Sequence, residues 1–174
     1  VTVGTKHARA ASKLYEVRES PIHGHGIFAT RRISSGKRII EYVGERVTPE
    51  EADERYDDDQ ADHPHILLFT VDKHTVIDGA VGGNEAKYIN HSCEPNCEAV
   101  NDDGRIFIEA IRDIWRGEEL TYDYQLERAG RFRAEWKERY RCRCGTPSCR
   151  GSMLAPRKKK PQQTKRKTVP RTRR

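Results

Sequence analysis

Between Leu14 and Ile77 the chain alternates short β-prone runs with glycine, proline or polar breaks. The pattern predicts strands over 15–18, 26–29, 38–42, 66–71 and 75–77. A second β region follows at 98–101, 105–110 and 119–121, with Asp102-Asp103-Gly104 as the turn of a hairpin. Helix signals are sparse. Thr48-Pro49-Glu50-Glu51 reads as a helix start, with Thr48 as cap, Pro49 in the first position and Glu51 closing a capping box, and the helix is expected to run to Tyr56. A second short helix is expected over 131–140, where Phe132 and Trp136 stand four apart. Residues 1–12 are polar without periodicity and are expected to be frayed. Many short strands and little helix predict a mainly β domain of several small sheets.

With 174 residues, 34% of them hydrophobic, the chain can bury one core, and one domain is expected. No run approaches the roughly 18 apolar residues of a membrane span. No apolar stretch follows Lys6 and Arg9, so no secretory signal and no membrane contact are expected. Charge is unevenly placed. Residues 157–174 hold ten of the 33 Lys and Arg and none of the 27 acids, so a net +6 becomes −4 for the rest. An acidic body suits a cationic partner, and a basic tail suits a polyanion or an import receptor. Five cysteines, an odd number with three of them clustered late, argue against a disulfide framework and for metal ligation in a reducing compartment.

The chemistry-bearing stretches come in a fixed order. His23-Gly24-His25-Gly26-Ile27-Phe28-Ala29 precedes Glu41-Tyr42-Val43-Gly44-Glu45, and Asn90-His91-Ser92-Cys93-Glu94-Pro95-Asn96 follows. Then come Gly117-Glu118-Glu119-Leu120-Thr121-Tyr122-Asp123-Tyr124 and Cys142-x-Cys144-x4-Cys149. Together these resemble the SET-domain protein-lysine methyltransferases with a post-SET zinc motif, of the mixed-lineage-leukaemia and trithorax-like kind. The resemblance covers residues 14–154. It implies a SET fold of several small curved β-sheets with few short helices, in which the segments around 90–93 and 122–124 thread into a pseudoknot. Threading is rare in proteins, and strand patterning alone does not propose it. It also implies a SET domain at 14–126, a helix and post-SET zinc segment at 127–154, and disordered ends at 1–13 and 155–174.

Three thiolates at Cys142, Cys144 and Cys149 are one short of the tetrahedral set of structural zinc, and Cys93 and Cys97 remain as candidates for the fourth. The resemblance implies Cys93, which leaves Cys97 a spare buried thiol. The run His23, Gly24, His25, Gly26 reads either as a tight turn between strands or as a place where backbone closely approaches a ligand. The resemblance implies the second, with main-chain contacts to S-adenosylmethionine. It further implies that the Asn90 side chain and the His91 backbone hold the adenosyl and amino-acid parts of that cofactor. Two departures stand out: Lys87-Tyr88 replaces the more usual Arg-Phe, and Leu67 stands where many relatives place a tyrosine lining the cofactor and lysine channel.

Tyr122 and Tyr124 lie two apart and on a strand share one face. They read either as aromatic packing or as walls of a lysine channel. The second reading has a chemical motive, since only roughly one lysine amine in a thousand is neutral at pH 7. A narrow apolar channel favours the neutral amine by desolvation and aligns it for attack. By resemblance Tyr124 is the catalytic residue, Tyr42 supplies a second hydroxyl near the amine, and Tyr122 occupies the position that governs how many methyl groups fit, with the small Ala99 nearby. The acids between Glu50 and Asp62 either solvate a helix or attract a basic peptide. What the resemblance implies is an S-adenosylmethionine-dependent lysine methyltransferase acting on basic, histone-like tails. Mono- or dimethylation is its expected product. The rival expectation is a zinc-stabilised chromatin or nucleic-acid binding module without catalysis. The basic tail fits nucleic-acid contact or a nuclear address. A nuclear or chromatin location is expected for a eukaryotic or host-targeted protein, and the cytoplasm for a bacterial one.

Overall fold

The computed structural model describes residues 13–56, 67–127 and 135–156. The expected frayed N-terminus, the acids Asp57 to Asp62 and the basic tail therefore lie outside the described residues. Three small sheets make up the body. The first joins β1 (Tyr15–Glu19), β2 (His25–Ala29), β10 (Glu119–Tyr122) and β7 (Asn90–His91) in the order β1-β2-β10-β7. The second places β9 (Arg105–Ala110) between β3 (Arg38–Tyr42) and β8 (Cys97–Asp102). The third places β6 (Val76–Asp78) between β4 (Glu45–Val47) and β5 (Leu68–Thr70). This is the mainly β architecture expected from the sequence.

The core lies where these sheets meet. Ile27 from β2, Ile108 from β9 and Leu120 from β10 are fully buried, joined by Ile89 and by Ile33 and Ile114. Ile33 and Ile114 form an isolated antiparallel bridge. On the central strand of the second sheet, the Phe107 ring meets the guanidinium groups of Arg38 and Arg105, at 3.9 and 4.9 Å from its centre. A flat cation over an aromatic face is attracted by the ring quadrupole and shields it from water.

Local signals are obeyed where they are strong. The Asp102-Asp103-Gly104 turn joins β8 to β9 with positive φ at Asp103 (50°) and Gly104 (78°), the backbone a tight hairpin requires. Helix α1 (Pro49–Arg55) starts with the complete capping box between Thr48 and Glu51. Its far end is fastened by Asp78, a fully buried carboxylate on β6. Asp78 accepts from Arg55 (3.2 Å), the Tyr56 hydroxyl (2.8 Å) and the Ala80 amide (2.9 Å). Helix α2 occupies Glu135–Arg139, and the expected start at 131–134, with Phe132, lies outside the described residues.

Short elements escaped the sequence pattern. Strand β4 has three residues and β7 has two, too few for any periodicity, and a 3-10 turn at Glu85–Tyr88 precedes β7. The expected strand at 66–71 narrows to Leu68–Thr70, with Leu67 in a 3-10 conformation and Ile66 outside the described residues. Strand β7 exists because β10 offers it a partner: Thr121 pairs with Asn90 and Tyr122 with His91, in parallel. That pairing joins the two segments expected to thread together. The buried side chain of Asn96 extends it sideways, donating to the Glu119 carbonyl (2.8 Å) and accepting from the Thr121 amide (2.9 Å) as a neighbouring strand would.

Candidate functional site

Four aromatic side chains collect where the three sheets converge. The Tyr122 and Tyr124 ring centres are 4.9 Å apart, so the two rings share a face even though β10 ends at Tyr122. Phe69 of β5 lies 6.2 Å from Tyr122 and 5.4 Å from Tyr42. Two hydroxyls are tied to backbone carbonyls: Tyr42 donates to Leu67 and Tyr124 to Ile89, each at 2.7 Å. Burial raises all three phenols above their ordinary value of 10. Neighbouring negative or phenolic groups raise them further, Asp78 beside Tyr42 and Tyr124 beside Tyr122 among them. They remain neutral at physiological pH.

Beside the tyrosines lies the glycine turn. Gly24 has a φ of 47°, a conformation that favours glycine, and a Cβ on Gly26 would stand 2.2 Å from a carboxylate oxygen of Glu119. That oxygen accepts from Ser20 Oγ (2.7 Å) and from Asn90 Nδ2 (2.8 Å). The same Asn90 nitrogen faces the carbonyls of His23 (3.3 Å) and His25 (2.9 Å). Asn90 therefore staples the turn to β7. The His25 ring packs on Tyr88 at 5.7 Å, while His23 is exposed at the lip.

His91 is almost wholly buried. Its Nδ1 accepts from the Tyr124 amide at 3.1 Å, and its Nε2 lies 3.4 Å from Cys93 Sγ. Burial, only partly offset by the Asp123 carboxylate, holds the imidazole down at about 4, so the ring is neutral at physiological pH. Asp123 is itself gripped by both terminal nitrogens of Arg150, at 2.7 and 2.8 Å.

Arg150 belongs to the cysteine segment. The sulfurs of Cys93, Cys142, Cys144 and Cys149 all lie within 4.8 Å of one another. Four thiolates around one divalent ion, with bonds of about 2.3 Å at tetrahedral angles, stand about 3.8 Å apart. The Cys93–Cys142 separation is 3.7 Å. Peptide N–H groups aim at three of the sulfurs: Arg150 at Cys93 (3.3 Å), Cys144 at Cys142 (3.4 Å) and Gly151 at Cys149 (3.4 Å). Such donors stabilise negative sulfur and suit thiolates sharing a metal. The group fits a structural zinc with no open position for water. Cys97 is not in it: its thiol is buried at the start of β8, where desolvation pushes it up to about 12.

Two cavities flank the tyrosines. One, of about 370 Å³, is lined by Leu68, Phe69, Val76, Tyr122 and Tyr124 and by residues of α1 and of 125–127, with Asp53 and Glu127 and, among the described residues, no cation. The other, of about 140 Å³, is lined by His23, Asn90, His91 and Tyr124 on the body and by Arg139, Arg141, Cys142 and Met153 of the C-terminal segment. Tyr124 lines both. Leu67 does not line the second cavity; its carbonyl anchors Tyr42 and accepts from the Gly79 amide at 2.9 Å. Sequence reasoning missed Phe69, Glu119, Asp123 and Arg150. Glu119 and Asp123 sit inside the motif at 117–124, but their partners are remote in sequence.

The SET domain family model matches residues 24–125. A protein of Aspergillus fumigatus named histone-lysine N-methyltransferase, H3 lysine-4 specific, is 45% identical over 139 residues, covering 76% of this chain and 11% of that protein. Its namesake in Saccharomyces cerevisiae is 43% identical over 139 residues, covering 76% of this chain and 12% of that protein. Histone-lysine N-methyltransferase trr of Drosophila melanogaster is 39% identical over 135 residues, covering 75% of this chain and 5% of that protein. The chain thus spans a small fraction of the length of these relatives.

The aromatic cluster depends on a missing side chain. A Cβ on Gly79 would stand 2.5 Å from the Tyr42 hydroxyl and 3.1 Å from the Leu67 carbonyl. Gly79→Ala is expected to break the hydrogen bond between them and cost about 1–3 kcal/mol. In urea denaturation the midpoint falls while the slope is unchanged. An unmoved midpoint contradicts this account of the cluster.

Proposed function

The chain belongs to the SET-domain family, and we propose that it transfers a methyl group from S-adenosylmethionine to a lysine amine in a basic, histone-like protein tail. The observation that carries the reading is the position of Tyr124 between two cavities. Lysine enters from the larger one, whose lining among the described residues bears carboxylates and no cation, as a basic peptide prefers. The cofactor occupies the smaller one, against Asn90, His91 and His23; of the turn His23, Gly24, His25 and Gly26, only His23 lines that cavity. The names of the relatives, all histone-lysine methyltransferases, favour the same substrate class and a chromatin location.

In the reaction the neutral amine attacks the methyl carbon, the carbon–sulfur bond breaks, and its electron pair returns to sulfur. The amine first gives its surplus proton to water, since no buried phenol here takes it. The aromatic walls favour the neutral amine by desolvation. The hydroxyls of Tyr124 and Tyr42 and the carbonyls they hold orient the nitrogen and the polarised methyl, so the protein's contribution is alignment. Leu67 acts through its backbone, by fixing Tyr42. Cys93, Cys142, Cys144 and Cys149 would hold a structural zinc that clamps the C-terminal segment over the cofactor cavity. The tail beyond residue 156, rich in Lys and Arg, is assigned to nucleic acid or an import receptor by its charge alone.

Replacing the Tyr124 hydroxyl tests the reading most cheaply. Tyr124→Phe is expected to bind cofactor normally in calorimetry while turnover on a histone H3 peptide falls at least about ten-fold. Normal turnover removes Tyr124 from the mechanism, and cofactor binding by the unmodified chain without any transfer favours a binding module instead.

The metal assignment separates two similar thiols. Cys144→Ser is expected to release the metal and unfold the C-terminal segment, whereas Cys97→Ser keeps one metal per chain by elemental analysis. Metal loss from Cys97→Ser transfers the fourth position to that residue.

Product number follows from Tyr122. Its hydroxyl at the channel wall holds a water that further methyl groups must displace, which disfavours them. The unmodified chain is expected to give mono- and dimethyl-lysine, and Tyr122→Phe to shift the products toward trimethyl-lysine in mass spectra of a peptide under multiple turnover. Dominant trimethylation by the unmodified chain shows that the small Ala99, paired with Ile108, leaves more room than Tyr122 closes.

A further inference from the structure

His91 has one face toward each half of the site. Its backbone pairs with Tyr122 in the parallel ladder, and its ring packs edge-on against Tyr124 at 5.3 Å. The two ring nitrogens are not equivalent. The Tyr124 amide is a donor with no alternative tautomer, and at 3.1 Å it points at Nδ1. A nitrogen that accepts carries no proton, so the proton of the neutral ring sits on Nε2. Asp123 Oδ1 lies 3.5 Å from Nδ1, longer than a hydrogen bond, and it already receives Arg150. Nε2 faces the sulfur of Cys93 at 3.4 Å. The assignment of this proton thus comes from the hydrogen-bond pattern, and it gives Cys93 a second N–H donor beside the Arg150 amide.

We propose that His91 is a positioning residue that couples the cysteine cluster to Tyr124, its Nε2–H donating to the Cys93 thiolate while its Nδ1 holds the Tyr124 backbone. The methyl-transfer reading enters only in what Tyr124 does once it is held. The cofactor contact expected of His91 uses its backbone and leaves the side chain unemployed, so this role is additional. The ring is suited to it because imidazole is rigid and carries a donor and an acceptor on opposite edges. A thiolate that accepts N–H donors binds its metal with altered electron donation and loses it more slowly when they are intact. In the other direction, a metal that fixes Cys93 fixes the ring, and the ring fixes the main chain just past β10. That main chain carries the Tyr124 side chain, which lines both cavities.

The test uses the full chain loaded with cadmium or cobalt. Nitrogen NMR of the cadmium form reads the tautomer without any substitution: a protonated Nε2 that couples to cadmium is expected, and a protonated Nδ1 overturns the proposal. In the cobalt form, His91→Asn, which keeps an acceptor near the Nδ1 position and loses the distal donor, is expected to move the sulfur-to-cobalt charge-transfer bands to lower energy. Metal affinity in that variant falls about ten-fold or more. His91→Gln, which retains a distal donor and loses the acceptor, is expected to keep the bands and lower kcat by about ten- to a hundred-fold with the peptide KM unchanged. Bands that stay in place in a folded His91→Asn chain, or a His91→Gln chain with normal kcat, overturn the coupling. The NMR and cobalt measurements decide the tether even in a chain that transfers no methyl group, so failure of the proposed reaction and failure of this inference are read separately.

Discussion

The parallel pairing of β7 with β10 is the contact on which both halves of the site depend. It is only two residues long, and a ladder that short does not hold itself against the entropy of the chains it orders. Side chains complete it. Asn96 supplies β10 with a substitute strand edge on one side, and Asn90 reaches from β7 to the turn at His23 and His25 on the other. Each is an amide that donates and accepts in fixed directions, and each is buried, so breaking either leaves peptide groups unsatisfied in a dry interior. The hydrogen bonds that shape the glycine turn are thus the same ones that hold the fold at this point.

Electrostatics then separates the two faces of the pairing. The aromatic cluster itself is neutral, made of three raised phenols and Phe69, while carboxylates stand at its edge, Asp78 beside Tyr42 and Asp53 and Glu127 in the lining of the larger cavity. A wall of this kind disfavours charge, which is why all three phenols are raised. Toward the C-terminal segment two carboxylates of the body are held by residues of that segment. Asp123 is neutralised bidentately by Arg150, and Glu94 accepts from the amide of Ser148 at 2.9 Å and also from its hydroxyl. These contacts join the body to the cysteine segment independently of any metal, as does the bridge between Leu126 and Leu154. A metal on the four sulfurs would add a further link to that seam.

Much of the architecture is readable from local chemistry. The capping box at Thr48, the positive-φ turn at Asp103-Gly104 and the runs that become β3 and β9 are decided by neighbouring residues, and they stand where the pattern puts them. What pattern cannot reach is whatever a distant segment decides. Strand β7 is defined by β10, and Leu67 ends in a 3-10 conformation with its carbonyl held by Tyr42. The fourth cysteine shows the same limit. By spacing alone Cys93 and Cys97 are equal, and only the course of the chain separates them. One sulfur lies in a loop against Cys142, and the other is sealed where β8 pairs with Ala110. Similarity between motifs supplied those long-range facts, including the meeting of 90–93 with 122–124.

That body and cysteine segment form one mechanical unit through Cys93, His91 and Tyr124 is the central claim. Amide hydrogen exchange, followed by mass spectrometry before and after the metal is stripped with a chelator, examines it directly. The account predicts that stripping removes protection from three stretches together, 140–154, 90–93 and 120–126, while β1, β8 and β9 keep theirs. Loss of protection confined to 140–154, with the β7–β10 pairing as slow to exchange as before, would contradict it.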